Sequence, residues 1–272
     1  MSESFLMNKP LLIGLLALFG LSLILIQLKF PLVKHKQNLK KRLLVNSSMA
    51  LLTYITASLT VRPSILFAFD FNWGVLNFLP SLPSVQFVAG FLLMDVTFYY
   101  WHRLNHKINF LWRFHNIHHI DQDMDASTGF RFHLAEVAIS SIFRFLQMLL
   151  IGPTLLVFLS YEFVFQMATL FHHSNIRLPL TIDNSLKFFL VTPRMHEMHH
   201  SQFRNETDSN YSVVFSFWDR IHNTFTENAN FKKVVIGVPG YMSPEDNRIK
   251  NLLLMPFKKQ KNYWKGQISR PD

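Results

Sequence analysis

Apolar and polar positions alternate along this chain in long blocks. Leu11–Leu28 is an uncharged, mostly apolar run of eighteen residues, and Leu43–Val61 is an uncharged run of nineteen. About twenty helical residues cross the ~30 Å hydrocarbon layer of a bilayer, so both runs predict membrane-spanning helices. The first is longer than the apolar part of a secretory signal, and no small-residue cleavage site follows it. A third span is expected from Val85 to Trp101, ending directly in His102. Val137–Phe171 is apolar apart from Arg144 and Glu162. As one helix it would reach about 52 Å, too long for one crossing. Gly152-Pro153 interrupts it near the middle, which predicts a hairpin of two short arms, down and back. The stretch 63–83, rich in Pro, Phe and Trp, reads as an interfacial loop or short helix. After Asn175 the chain is polar and punctuated by proline, as in a cap of short helices. Asn251–Lys261, half apolar and half lysine, fits either the lipid interface or a helix packed on that cap.

These blocks predict an all-α integral membrane protein with about three transmembrane helices plus the broken hairpin. The expected division is an N-terminal helix pair at 1–62, a catalytic domain at 63–230 and a tail at 231–272. The net charge of +10 raises nucleic acid as a partner, but its distribution argues against one. Lys29, Lys34, Lys36, Lys40, Lys41 and Arg42 crowd the short link between the first two spans, with only Lys9 before them and Arg62 after the second span. Cationic short loops lie in the cytoplasm. The link therefore predicts an inner membrane, bacterial by expectation, with the rest of the chain threaded accordingly. The hairpin returns Glu136 and His172 to one face, so every histidine cluster falls on the cytoplasmic side. The chain has no cysteine, which excludes disulfides, thiolate metal sites and cysteine nucleophiles.

Eleven of thirteen histidines fall within Trp101–His133 and Phe171–His200. His102 and His106, then His115, His118 and His119, then His196, His199 and His200 have helical spacing, which puts them on shared faces. Neutral imidazole is a ligand for zinc, copper, iron and nickel. Eight such side chains exceed the needs of one ion and suggest two. On the returning arm, Glu162, Gln166, Thr169 and His173 form a polar stripe, which selects His173 over His172 as the inward-facing residue. His172 remains a candidate for a further ligand, and His133, three residues before Glu136, reads as a ligand, a group supporting one, or a cap at the start of the hairpin. His35 and His222 look ordinary. Asp95 shares a stripe with His102 and His106, and a carboxylate inside a membrane helix is usually functional. It is expected either to orient an imidazole or to pair with an arginine such as Arg103 or Arg144. One pattern competes. His196-Glu-Met-His-His200 satisfies H-E-x-x-H, in which two histidines bind zinc and Glu197 would act as base. A zinc hydrolase needs only three ligands and an open position, which leaves five histidines at 102–119 unexplained. A metal transporter would place its ligands at mid-membrane rather than at one interface.

Beyond spacing, DVTFYYWHRLNH (95–106), LWRFHNIHH (111–119), GFRFHLAE (129–136), FHHSNIRLP (171–179), TPRMHEMHHS (192–201) and the 208–220 stretch resemble the fatty acid hydroxylase / sterol desaturase superfamily, nearest its bacterial sterol desaturase branch. The resemblance covers about Phe91–Thr224. It implies two non-haem irons at the cytoplasmic face, with zinc as a substitute metal, and O2 as co-substrate for hydroxylating or desaturating a lipid C–H bond. Carried over, the ligands are His102, His106, His115, His118, His119, His173, His196, His199 and His200. Asn175 is a further candidate ligand. Glu136 and Asp219, like Asp95, are supporting groups around the ligands. Glu197 has no place in the family pattern. Leu134 stands where proline is common, and the 218–224 end departs from the usual sequence. Neither change removes an expected ligand. The chain shows no haem segment, so the resemblance implies an external electron donor, a ferredoxin or a cytochrome b5-like protein with its reductase. The basic link and the tail lysines Lys258, Lys259, Lys261 and Lys265 would either dock that donor or set topology and bind anionic lipid.

Overall fold

A computed structural model describes residues 9–71, 73–227 and 234–269. The expected boundary at 230/231 lies outside these residues. The described chain is helical, and strand pairing is limited to three isolated bridges. The long elements are α1 (Lys9–Lys29), α2 (Leu39–Leu59), α3 (Val61–Phe69), α4 (Pro83–Lys107), α5 (Asn109–His119), α6 (Leu134–Ile151) and α7 (Leu155–His173). Short helices α8 (Leu180–Leu186), α9 (Pro193–His199), α10 (Arg204–Thr207), α11 (Phe217–Ile221) and α12 (Ile249–Leu254) follow.

Among the described residues, four stretches are long and apolar enough to cross a membrane: Pro10–Lys29, Leu39–Phe69, Leu134–Ile151 and Leu155–His173. The expected third span is not one of them. It belongs to α4, which is 25 residues long, continues through His102 and His106 to Lys107, and buries Asp95 and Asn105. Polar residues such as Asp95 and Asn105 lower its apolarity, while Val85, Val88, Tyr100 and Leu104 stay exposed on its other faces. The second span is also longer than expected. Pro63 sits near the start of α3, where its missing N–H costs nothing, so the helical path runs on to Phe69. The 63–83 stretch, expected as a loop or short helix, therefore begins as helix, and it contains a second helical turn at Val75–Phe78.

The hairpin break falls where Gly152-Pro153 predicts it. Gly152 caps α6 with φ +65°, a conformation that favours glycine. A Cβ there would lie 2.6 Å from the Trp73 carbonyl oxygen, and one on Gly74 (φ +143°) would lie 2.4 Å from the Gly152 backbone. Two glycines thus let the hairpin turn rest directly on the 73–74 backbone. Around them Ile65, Leu76, Met94, Met148, Ile151, Val157 and Tyr161 form the largest apolar core. A second core joins Met49 of α2 and Trp112, Ile117 and Ile120 to Leu252 and Met255 of the tail. Leu252 is fully buried, whereas Leu254 and Phe257 are exposed. The 251–257 segment is therefore packed on the cap through one face only.

Candidate metal centre

The histidine-bearing ends of α4, α5, α7 and α9 meet in one place. One group joins His102, His106, His115, His119 and His199, and a second joins His118, His173, His196 and His200. Within each group the candidate ligand nitrogens lie within 4.8 Å of one another. The two groups abut, with the rings of His119 and His200 stacked at 4.3 Å. Local spacing explains the division. His115 and His119 lie one turn apart on α5 and face the first group, while His118 faces the second. His196, on α9, and His200, which caps it, lie one turn apart and join the second group, while His199 joins the first.

Four contacts test whether a metal suits the site. Nε2 of His173 lies 3.0 Å from Nε2 of His118 and from Nε2 of His196, and His200 Nε2 lies 3.2 Å from that of His196. In the first group His199 and His102 meet Nε2 to Nε2 at 3.0 Å. Two ligands on one ion, each about 2.1 Å from it, are about 3.0–3.4 Å apart at octahedral or tetrahedral angles. The two ring nitrogens of His106 and of His119, and Nε2 of His115, are buried without a hydrogen-bond partner. Buried polar atoms without partners are costly, so the donor set fits two cations. Burial first, and neighbouring imidazoles second, hold His118, His119, His196 and His200 well below the usual histidine range. Burial and the His102 and His200 rings do the same for His199. They are neutral near pH 7, the form that binds metal.

Other groups fix the ring orientations. His115 Nδ1 donates to Glu136 at 2.8 Å. The backbone carbonyls of Tyr211, Ser209 and Thr169 accept from Nδ1 of His102 (2.8 Å), His199 (2.6 Å) and His173 (2.8 Å). Each bond leaves Nε2 directed at the group. Asp219 works one step further out: it accepts from the backbone N–H of Tyr211 (2.8 Å) and Ser212 (3.0 Å), and so holds the loop that anchors His102.

Four histidines lie outside both groups. His133 is engaged on both nitrogens. It caps α6 by accepting from the Ala135 N–H at 3.0 Å, and its Nε2 donates to the Leu253 carbonyl at 3.2 Å. His172 bonds the Val213 backbone, although its ring packs 4.2 Å from that of His196. His222 bonds Tyr100 and the Trp218 carbonyl, and His35 faces Asp123. Two further expectations are corrected. Asn175 ties the link after α1 in place, accepting from the Val33 N–H at 2.9 Å and donating to its carbonyl at 2.7 Å. Among the described residues, Asp95 hydrogen-bonds neither a histidine nor an arginine. It accepts from the Phe215 N–H (3.1 Å), Trp218 Nε1 (2.8 Å) and Tyr161 (3.3 Å), so it pins the 215–218 segment. Glu197 also lies outside both groups and lines a separate small cleft with His35 and Asp123.

The sequence reading missed the support behind the groups. Arg42 is buried, not a surface cation. It bonds Asp121 at 2.9 Å, Asp125, Thr128 Oγ1 at 2.7 Å and the Asp123 carbonyl at 3.1 Å. Arg131, also buried, bonds the Ile117 carbonyl at 2.9 Å and lies 3.8 Å from Asp121. Burial pushes the Asp121 carboxyl up, but Arg42 and Arg131 outweigh it and hold it below its ordinary value. The alternating acids of Asp121-Gln-Asp-Met-Asp125, directly after His118-His119-Ile120, were the available signal.

A cavity of about 320 Å³ opens beside both groups. Phe98, Trp101, Phe132, Phe165 and Val213 give it apolar walls, and His102, His118 and His173 reach its edge.

A helical chain with four membrane-length apolar stretches, two paired histidine groups and an apolar cavity defines a class of lipid-facing candidate metal proteins. The comparisons identify the family. The fatty acid hydroxylase model matches residues 87–224, half of the chain, and the chain belongs to that family. Alkylglycerol monooxygenase of Homo sapiens is 33% identical over 170 residues, 61% of this chain and 36% of the relative. Ornithine lipid hydroxylase OlsE of Rhizobium tropici is 31% identical over 158 residues, 58% of this chain and 46% of the relative. Cholesterol 25-hydroxylase of Homo sapiens is 28% identical over 135 residues, 49% of this chain and 48% of the relative. The chain thus spans less than half the length of each of these relatives. No solved structure matches. The H-E-x-x-H protease reading gains no support from this family.

Proposed function

We propose that this chain is an O2-dependent di-iron oxidoreductase that hydroxylates or desaturates a lipid C–H bond at the cytoplasmic face of a bacterial inner membrane. The observation that carries the reading is the apposition of nine histidines, eight buried and His102 half-buried, in groups of five and four, with an apolar cavity. Two irons held there would supply the reduction of O2 with two external electrons and the removal of hydrogen from carbon. For hydroxylation, R–H, O2, two electrons and two protons give R–OH and water. A ferredoxin or a cytochrome b5-like protein would deliver the electrons. The relatives named for alkylglycerol, ornithine lipid and cholesterol support a lipid substrate.

The protein's own part is orientation and exclusion. Glu136 and the carbonyls of Tyr211, Ser209 and Thr169 hold four imidazoles at fixed angles. Phe98, Trp101, Phe132 and Phe165 keep water from the reacting carbon and pack the chain that carries it. The test compares lipid mass spectra of cells, grown in air, that express the parent chain, a His102→Ala/His106→Ala variant or no chain. A lipid gaining oxygen or losing two hydrogens only with the parent is expected, together with about two metal ions in the purified protein; zinc would replace iron under overexpression. Lipid profiles indistinguishable across all three would overturn the proposal.

A further inference from the structure

The cavity does not end in hydrocarbon. Arg144 and Glu162, on facing arms of the hairpin, form an ion pair in its wall. Charges within membrane-length helices are costly and tend to be retained for a role. Arg144 is held from several sides. Its Nη1 donates to Gln147 Oε1 at 2.7 Å. Gln147 in turn donates to the Met94 carbonyl at 3.0 Å and Thr97 Oγ1 at 2.7 Å. The guanidinium lies 5.1 Å from the Phe98 ring centre and 5.7 Å from that of Phe158. The bonds to Gln147 and Glu162 use two of five guanidinium donors. Glu162 keeps 30% of its side chain exposed. Along α6, Arg144 is eight residues beyond Glu136, and along α7, Glu162 is eleven residues before His173. At 1.5 Å per residue the pair stands roughly 12–16 Å from the histidines, about ten methylenes of an extended chain.

We propose that the Arg144–Glu162 pair is a specificity site that binds a neutral hydrogen-bonding group of the lipid, such as a hydroxyl, and so sets which carbon reaches the histidine groups. The inference rests on the proposed lipid oxidation. Neutrality follows from the pairing. A carboxylate or an ammonium would have to displace one member and leave a buried charge uncompensated. A hydroxyl donates to Glu162 and accepts from Arg144 while leaving the pair intact. A plain hydrocarbon offers neither bond.

Binding and product position test it separately. Displacement of a fluorescent fatty-acid analogue from the metal-loaded protein in nanodiscs compares a straight-chain primary alcohol with the alkane of equal length. The parent is expected to favour the alcohol about tenfold, as for a hydrogen bond to a charged group. Arg144→Gln/Glu162→Gln should reduce that ratio to about twofold or less. Glu162→Gln alone, which keeps the shape of the wall, should reduce it in part and covers the case in which the double variant does not fold. Across a homologous series of alcohols, the oxidised carbon should stay at a constant distance, about ten carbons, from the hydroxyl. No alcohol preference in the parent, or a preference unchanged in Glu162→Gln, overturns the inference. An alcohol preference without any oxidation overturns the proposed function and leaves the binding site standing. Oxidation counted from the methyl end overturns the inference alone.

Discussion

Arg42→Met is the sharpest test of how the site is supported. Methionine fills a similar volume but removes the bonds to Asp121, Asp125, Thr128 and the Asp123 carbonyl. Asp121 retains Arg131 at 3.8 Å and the Gln37 side-chain amide at 2.8 Å. Among the described residues Asp125 keeps neutral donors alone, the Ser127 N–H and hydroxyl and the Thr128 N–H, so its charge becomes the uncompensated one. Removing one partner of a buried ion pair costs about 3–5 kcal/mol. At about 2–4 °C per kcal/mol for a chain of this size, the expected fall in Tm is about 6–20 °C. Thermal unfolding of the detergent-solubilised, metal-loaded protein reads it. Lys41→Met removes the neighbouring, exposed cation and is the control, expected within about 0.5 kcal/mol of the parent. Arg42→Lys should recover only part of the loss, because an ammonium cannot reproduce the guanidinium fork. If Arg42→Met and Lys41→Met unfold at the same temperature as the parent, Arg42 is a topogenic charge and the network carries no stability.

His173→Ala should lower bound metal, read by elemental analysis, more than His172→Ala, because only His173 places a nitrogen within a histidine group; equal losses would put His172 among the ligands. Glu197→Gln should leave lipid oxidation and metal content near parental levels, and a collapse of oxidation with metal retained would give Glu197 a chemical role. Metal-free protein should lose thermal stability as pH falls. The folded pKa of His118, His119, His196, His199 and His200 is lowered, so their contribution is complete above the unfolded value of about 6.5 and is lost as pH drops through the lowered folded values; a flat stability profile down to about pH 5 would contradict burial of the neutral rings. Reporter fusions after Asn175 should report the cytoplasm and one near Phe71 the opposite side, and an external report after Asn175 would break the proposed topology.

Much of this was legible because it is local. The histidine faces follow from three- and four-residue spacing, and the hairpin break follows from Gly152-Pro153. The polar stripe through Glu162, Gln166 and Thr169 runs along the cavity wall to His173. The misreadings all involve partners distant in sequence. Arg42 meets its acids about 80 residues away. Asp95 meets Phe215 and Trp218, and Asn175 meets Val33. Spacing along one helix cannot show which face a neighbour covers, so Asp95 on the His102 stripe looked like support for a ligand. The capping reading of His133 was legible for the opposite reason, since the N–H it accepts from belongs to Ala135, two residues on.

The contact between Gly74 and Gly152 lies at the far end of the bundle from the histidines. α7 starts near it and α4 passes close by at Gly90, where a Cβ would lie 2.8 Å from Val157, and both deliver ligands at their other ends, His102 and His106 from one and His173 from the other. The 19 residues of α7 run about 28 Å from that contact. The two helices therefore act as rulers read from a common origin. One residue inserted into either helix would shift its ligands by about 1.5 Å and turn them by about 100°, which would carry His173 out of its group without touching any histidine. Helix length is thus as much a part of the coordination geometry as the imidazoles themselves, and a side chain at either glycine would move the origin from which both lengths are measured.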